Sequence, residues 1–320
     1  MRVAVIGAGI AGLACAEGLR QRRIETVLFD KGKRSGGRLS SLRLDHYSWD
    51  FGAQYLTVGQ GGFAAQVARW RQAGLVAPWI GGPAGALVGV PDMASLIAAQ
   101  CRDHDLRFGA QVTRAECGGQ SWFVSGPNLS EGPFAALIVA IPAEQAVPLL
   151  SLHDLAMARE AAAVRSRPCW AVMAGFDRRL AGLPDHLSSL GPVAWAARNN
   201  SKPERPSSES WVIQAGAEWS QRNLECDREV VAHRLLELFG QETGIDLPAP
   251  DFLKAHRWRF ALPYGQPGKV LWNPQLRLGA CGDWCYSGQI EAAWQSGADL
   301  ADRLAQSALA EPAGQAREAR

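Results

Sequence analysis

The stretch Arg2-Val3-Ala4-Val5-Ile6-Gly7-Ala8-Gly9-Ile10-Ala11-Gly12-Leu13 decides the fold. Arg2–Ile6 is largely apolar and β-branched, as in a strand buried on both faces. Three glycines follow at the spacing G-x-G-x-x-G, and residues 10–23 carry the apolar spacing of a helix. A second apolar run, 24–30, ends in Asp30, which lies 18 residues after Gly12. Each residue has a physical task. Gly7 permits the tight turn, Gly9 lets main chain approach a diphosphate, and Gly12 lets helix and strand pack closely. The free N–H groups of Ile10, Ala11 and Gly12 at the helix start favour phosphate oxygens. An acid at Asp30 accepts hydrogen bonds from ribose hydroxyls and disfavours a 2′-phosphate.

Working outward, the next loop is Lys31-Gly32-Lys33-Arg34-Ser35-Gly36-Gly37-Arg38. Lys31 flanks the acid, Gly37 allows close passage of main chain, and Arg38 suits a phosphate. Trp49-Asp50-Phe51-Gly52-Ala53-Gln54-Tyr55 follows, and Gly52, Ala53 and Gln54 are read as backbone facing a flat ring. A nicotinamide-only domain would show a short loop and another βα unit here. This excursion points to FAD.

The middle of the chain reads as a helix over 90–101 and short strands over 106–108, 111–117 and 121–125. A buried strand over 136–140 turns at Ile141-Pro142-Ala143 into a helix. Three inserted strands before the next parallel strand would put Val112 beside the adenine. Beyond residue 150 the texture changes to antiparallel strands at 169–176, 193–198 and 211–217, a helix over 227–243 and a strand over 252–260. Residues 199–209, Asn-Asn-Ser-Lys-Pro-Glu-Arg-Pro-Ser-Ser-Glu, read as a solvated loop by composition.

Near the C-terminus Leu276–Asp283 reads as a strand ending in Gly282-Asp283, followed by Trp284-Cys285-Tyr286-Ser287-Gly288-Gln289-Ile290 and a helix to about residue 308, with Ser287 as its N-cap. Asp283 would meet ribityl or phosphate-side hydroxyls. The N–H groups of Gly288, Gln289 and Ile290 would face the pyrimidine edge of a flavin, where a helix N-terminus steadies the anionic reduced ring by about 1 kcal/mol.

The composition bounds the rest. With 47% hydrophobic and 20% charged residues the chain is an ordinary globular one, and a net charge of +2 gives nucleic acid or an anionic membrane no bulk attraction. Seven cysteines without a C-x-x-C pair suggest a reducing compartment and no zinc site. The glycines at 7, 9 and 12 interrupt the apolar start too often for a signal peptide, so a soluble cytoplasmic protein, monomeric by default, is expected.

Taken together, GAGIAGL, SGGR, DFGAQY and the late GD…YSGQIEAAWQSG resemble the flavin amine-oxidase superfamily. Within it, residues 50–57 and His256-Arg257-Trp258-Arg259-Phe260-Ala261 look most like the bacterial renalases. The resemblance implies an α/β chain with an FAD-binding Rossmann-like domain and a second α+β substrate domain, of the p-hydroxybenzoate-hydroxylase or amine-oxidase type. The domains would be 1–58 with 90–150 and 266–310, then 59–89 with 151–265, and a flexible tail from 311. It further implies oxidation of the 1,2- and 1,6-dihydro isomers of NAD(P)H to NAD(P)+, with hydride passing to flavin N5 and dioxygen reduced to hydrogen peroxide. The FAD is expected to be non-covalent, because no cysteine lies between Asp227 and Ala280.

His256, Trp258, Arg259 and Tyr286 are the expected substrate-facing residues, with Trp258 stacking on a nicotinamide-like ring. Because alternate strand residues face opposite ways, His256 and Trp258 share a face with Arg259 only if a bulge intervenes. The alternative function is an amine oxidase or desaturase. It is weakened by the absence of any lysine between Arg34 and Ser201, since many amine oxidases carry one beside the flavin.

Overall fold

A computed structural model describes residues 1–310, and the expected tail from 311 lies outside the described residues. The chain divides into two units. Unit 1 comprises Met1–Arg34, Asp103–Val164 and the chain from Gly265, and unit 2 comprises Ser35–Arg102 and Arg165–Tyr264.

Unit 1 is built on a six-stranded sheet. Its order is Leu271–Asn273, Leu278–Ala280, Ala136–Val139, Arg2–Ile6, Glu25–Asp30 and Asp105–Phe108. All neighbours are parallel except the first pair. Arg2–Ile6 lies at the centre, which is why Val3, Ala4 and Val5 are fully buried. The first helix, Ile10–Gln21, returns the chain to the parallel strand Glu25–Asp30. The last helix, Ile290–Ala310, packs along the first, closely enough that only glycine fits at the crossing: a Cβ on Gly297 would lie 2.0 Å from the Ala11 carbonyl oxygen.

The insertion differs from the sequence expectation. Asp105–Phe108 belongs to the parallel sheet, not to the insert. The antiparallel insert is Arg114–Gly118, Ser121–Gly126 and Leu129–Phe134. Its third strand escapes sequence reading because Gly132-Pro133 sits inside it, and both residues ordinarily interrupt strands.

Unit 2 is built on a five-stranded antiparallel sheet, ordered His186–Leu190, Val193–Arg198, Glu209–Ala215, Arg165–Phe176 and Phe252–Tyr264. One face is covered by the helix Arg228–Thr243, with Trp170, Val172, Trp211, Ile213, Leu235 and Phe239 between them. That helix starts at the cap Asp227, whose carboxylate accepts from Glu229 N, and ends at the left-handed Gly244. The opposite face meets the strand Tyr47–Asp50: Tyr47 and Trp49 pack on Met173 and Val212, and Trp49 Nε1 donates to the Ala174 carbonyl at 2.9 Å.

These contacts explain why the division falls elsewhere than the expected boundaries. Residues 35–58 and 90–102 join unit 2 because Trp49 is buried on its sheet, and residues 151–164 join unit 1. No helix among the described residues is long and apolar enough to cross a membrane.

Candidate functional site

Unit 1 brings the three glycines together in three different environments. Gly7, at φ +105°, would place a Cβ 2.4 Å from the Ala140 carbonyl oxygen, so no other residue makes this turn. A Cβ on Gly12 would lie 2.0 Å from the Gly7 carbonyl oxygen. Gly9 is the opposite case, since a Cβ there meets nothing within 4 Å. Gly9 therefore opens onto free space at the helix start, where Leu13 N makes the first intrahelical bond to the Gly9 carbonyl. The N–H groups of Ile10, Ala11 and Gly12 precede that bond, and face the end where an anion is favoured.

Asp30 is half-buried at the end of its strand. One carboxylate oxygen accepts from Ala8 N at 2.9 Å and the other from Gly32 N at 2.7 Å. This ties the acid to the glycine loop, and each oxygen keeps a lone pair for another donor. Lys31 beside it is exposed. Ala110 N donates to the Asp30 carbonyl, so Val112, two residues further on, lies near the same end of the sheet in a link before the strand Arg114–Gly118.

The C-terminal motif sits on the same unit. Gly282 N donates to Ser296 Oγ at 2.9 Å, and the buried Asp283 accepts from Trp284 N at 3.0 Å. Gly288 takes φ +72° and its N–H bonds the Asp283 carbonyl. The helix begins at Ile290, and Ala293 N bonds the Gln289 carbonyl. Gln289 thus holds the cap position expected of Ser287, because the turn at Gly288 delays the helix by two residues. The last helix crosses the first at Gly297 and Ala11. Seven residues at 1.5 Å each put its N-terminus about 10 Å from that crossing. Residues 287–291 and the loop Gly7–Gly12 thus belong to the same unit, with the helix start about 10 Å along from the crossing at Ala11.

Tyr286 donates to Asp299 Oδ2 at 2.5 Å, and burial and Asp299 push its hydroxyl pKa up. Trp284 is buried and donates to the Ile141 carbonyl at 3.0 Å. Trp284 is thereby a packing residue, and Tyr286 is anchored on the last helix through Asp299.

In unit 2 four residues stand in register across the sheet: Trp195 opposite Gln214, Gln214 opposite Ala171, and Ala171 opposite His256. Residues directly opposite share a face, and this row lies on the face away from the helix Arg228–Thr243. The segment Phe51–Tyr55 runs across the row. The Phe51 ring lies 4.9 Å from His256 and stacks on Trp258 at 5.5 Å, and Tyr55 lies 5.5 Å from Trp195. Three successive carbonyls, those of Asp50, Phe51 and Gly52, are held by side chains. Gln54 Nε2 donates to Asp50 and to Gly52, Trp258 Nε1 to Phe51 at 2.8 Å, and Gln214 Nε2 to Gly52 at 2.7 Å. Ala53 N donates to the Arg38 carbonyl, against which Gly52 packs so closely that a Cβ would lie 2.0 Å away. Gly37, at φ +53°, opens the short 3-10 turn Gly37–Leu39, and the Arg38 guanidinium donates to the Ala261 carbonyl at 3.1 Å.

Two expected substrate residues are reassigned by these contacts. Trp258 has its ring stacked on Phe51 and its N–H on the Phe51 carbonyl, so it fixes the turn instead of offering a free ring. Arg259 pairs with Glu225 at 2.7 Å, alongside Arg257. The strand does carry an irregularity, between the pairs Cys169–Trp258 and Arg167–Leu262. It begins after Trp258 and leaves Arg259 with Arg257, in a half-exposed ion pair.

The greatest surprise to sequence reading is the loop after Asn199. Lys202 and Arg205 are buried, and both reach the Asp50 carboxylate, at 3.0 Å and 2.7 Å. Burial would raise the Asp50 pKa, but Lys202 and Arg205 hold it well below the carboxylate range. The composition of residues 199–209 hid this, since proline and serine between charges usually mark solvent. The available signal was Asp50 itself, set between Trp49 and Phe51 where an unpaired acid cannot be buried.

His256 is a neutral imidazole. Burial first, then Arg228 and Lys254, lower its pKa from 6.5 to about 4. The sign follows. The unfolded chain takes up this proton near pH 6.5 and the folded one only near pH 4, so stability falls as pH drops through that window. With the group partly exposed, the loss is on the order of 1–2 kcal/mol. Urea unfolding at pH 6.5 and pH 4.5 is expected to show it, and His256→Phe to reduce it. An unchanged pH dependence in the variant would remove His256 as its source.

With this geometry in view, comparisons become informative. Residues 5–69 match the NAD(P)-binding Rossmann-like domain family. A mitochondrial protoporphyrinogen oxidase of Nicotiana tabacum is 42% identical over 60 residues, 19% of this chain and 12% of the tobacco enzyme. A 4,4′-diapophytoene desaturase of Staphylococcus aureus is 40% identical over 52 residues, 16% of this chain and 10% of that one. The chain thus aligns with about a tenth of these relatives' length. Solved structures match nearly throughout. A protein described as a protoporphyrinogen oxidase of Exiguobacterium sp. 255-15 superposes with TM-score 0.77 at 11% identity, over 95% of this chain and 98% of that one. Cyclohexylamine oxidase of Brevibacterium oxydans superposes with TM-score 0.70 at 14% identity, over 96% and 99%. This is the amine-oxidase fold. The Rossmann-like unit with a second, largely antiparallel unit is what these structures share with the chain.

Proposed function

We propose that this chain is an FAD-dependent oxidoreductase that oxidises the 1,2- and 1,6-dihydro isomers of NAD(P)H to NAD(P)+. The observation that carries the cofactor reading is in unit 1. Gly9 is open while Gly7 and Gly12 are closed by backbone, Asp30 is tied to the same loop, and the last helix starts in the same unit, about 10 Å along from its crossing at Ala11. A diphosphate needs the first feature, a ribose the second, and an electron-rich ring the third. The donors therefore fit FAD.

In this reading Ile10, Ala11 and Gly12 hold the diphosphate, Asp30 the adenosine ribose, and Asp283 the hydroxyls nearer the ring. Gln289 and Ile290 supply N–H groups to the ring's polar edge, while the Gly288 N–H, expected to do the same, is taken by the Asp283 carbonyl. When bound, FAD supplies a two-electron acceptor that dioxygen reoxidises with release of hydrogen peroxide. The residues of unit 2 suit a donor that already carries its hydride. His256 stays neutral through the physiological range and lies among aromatic rings, so it offers a face and a hydrogen bond rather than a charge.

The second reading, an amine oxidase or desaturase, draws support from the names of the relatives. A buried lysine does follow directly after Ser201, but Lys202 spends its N–H groups on Asp50, Gln54 and Asn199. A cytoplasmic, monomeric enzyme without nucleic-acid or membrane partners completes the proposal.

A substrate panel watched by flavin absorbance tests it. The purified protein is expected to be yellow, to release FAD on denaturation, and to bleach anaerobically with 1,2- or 1,6-dihydroNAD at least 100-fold faster than with putrescine or cyclohexylamine. Faster bleaching by an amine would transfer the assignment to the second reading. A colourless protein that ignores added FAD would end both.

A further inference from the structure

The buried cluster around Asp50 contains one carboxylate and two cations, and that imbalance has a structural use. Asp50 Oδ1 accepts from Ser41 Oγ at 2.7 Å and Met93 N at 3.0 Å, and Oδ2 from Lys202 and Arg205. Arg205 alone would neutralise the acid. Lys202 is therefore not needed for charge balance, yet its side chain is fully buried.

Its three N–H donors meet three acceptors: Asp50 Oδ2 at 3.0 Å, Gln54 Oε1 at 3.2 Å and Asn199 Oδ1 at 3.4 Å. An ammonium donates and never accepts. It therefore compels the Gln54 amide to turn its oxygen toward Lys202 and its NH2 toward the carbonyls of Asp50 and Gly52. Asn199 Oδ1 also receives Asp50 N at 2.9 Å, so the start of the same turn is reached by a second route.

We propose that Lys202 is a positioning residue, whose ammonium sets the orientation of Gln54 and through it the backbone of the turn Asp50–Tyr55. The importance of that turn to the cofactor rests on the function proposed above, but the coupling itself does not. A neutral amine has two N–H groups for three acceptors, so loss of one proton must release one of the three bonds. The proton can be lost without leaving the acid unpaired, because Arg205 stays on Asp50.

The charged groups facing Lys202 are Asp50, from the strand Tyr47–Asp50, and Arg205, from its own loop. The Trp79 ring lies 5.1 Å from Nζ. Burial chiefly, and Arg205, outweigh Asp50 and bring the ammonium down to a pKa of about 8. The turn is then fully held below pH 8 and loosens above it.

The chain has only five lysines, at 31, 33, 202, 254 and 269, which makes the test direct. The purified full chain is labelled with lysine 13Cε and backbone 15N and titrated by NMR from pH 6.5 to 10.5. One lysine signal is expected to move with a midpoint near pH 8. The amides of Gly52, Ala53, Gln54 and Tyr55 are expected to follow the early midpoint. In Lys202→Met the early signal disappears and the amides lose that step. In Gln54→Leu the lysine step remains and the amides stop following it. The proposal is overturned if no lysine titrates early, if the turn amides ignore the early step, or if they still follow it in Gln54→Leu. Should Lys202→Met fail to fold, the wild-type and Gln54→Leu titrations decide alone. None of these readings needs FAD, so a chain that proves colourless would end the proposed function and leave this coupling standing.

Discussion

Gly12→Ala is expected to cripple the fold, whereas the larger change Gly9→Val spares the fold and removes the cofactor. The added methyl at position 12 falls 2.0 Å from the Gly7 carbonyl oxygen, with the Ala140 side chain next at 3.3 Å. Backbone on one side and a sheet strand on the other leave no flexible atom to yield. Overpacking of this kind costs about 1–3 kcal/mol and more where it separates helix from strand, against a total stability of about 5–15 kcal/mol. Position 9 has extended backbone at φ −76° and open space where a side chain would project, so valine is tolerated by the protein itself. It would occupy the approach to the helix N-terminus instead. The expected results are a fall of at least 5 °C in the unfolding temperature, or insolubility, for Gly12→Ala. For Gly9→Val they are an unfolding temperature within about 2 °C of wild-type apoprotein and at least a tenfold loss of FAD affinity. Wild-type FAD affinity in Gly9→Val would place the cofactor elsewhere.

The contrast between these glycines shows what kind of information a sequence holds. The spacing of Gly7, Gly9, Gly12 and Asp30 is local, all within one strand–helix–strand unit, and the physics that requires it acts over the same few residues. That part of the fold was legible: Gly7 and Gly12 stand where backbone crowds them and Gly9 where it does not. The C-terminal motif was legible for a similar reason, although its cap moved from Ser287 to Gln289 because Gly288 adopts positive φ. Alternation along the strand also predicted correctly that Arg259 would part from His256 and Trp258 unless the strand buckled.

The illegible part is long-range. Asp50 and Lys202 are 152 positions apart, and only folding reveals that they meet. Local composition pointed the other way, since residues 199–209 have the character of a solvated loop. The contacts of Trp258 were hidden for a related cause. An aromatic residue on a strand face can offer its ring to a ligand or to its own chain, and the choice depends on Phe51, more than 200 positions earlier. Two of the side chains that hold the turn carbonyls, Gln214 and Trp258, likewise come from separate strands.

The same buried cluster yields the largest stability effect. Asp50→Asn is expected to cost about 3–5 kcal/mol, the usual result of removing one partner from a buried ion group. The two cations respond differently to that loss. Lys202, already brought down to a pKa of about 8, can shed its proton and become a buried neutral amine. Arg205 cannot, because a guanidinium stays charged under all conditions in which the protein is folded. The uncompensated charge left behind is therefore that of Arg205. It follows that Asp50→Asn with Arg205→Met recovers more stability than Asp50→Asn with Lys202→Met. Urea unfolding of the single and double variants, arranged as thermodynamic cycles, measures both couplings. Equal rescue by the two double variants would mean that the charges are interchangeable and that Lys202 has no distinct place in the cluster. Acid titration offers an independent check on the sign. The contribution of Asp50 is fully present above the ordinary carboxylate pKa of 3.8, and is lost only as pH falls through its lower folded value. Loss of stability below pH 6.5 therefore comes from His256 and from His104, both lowered by burial, and Asp50 enters only at stronger acid.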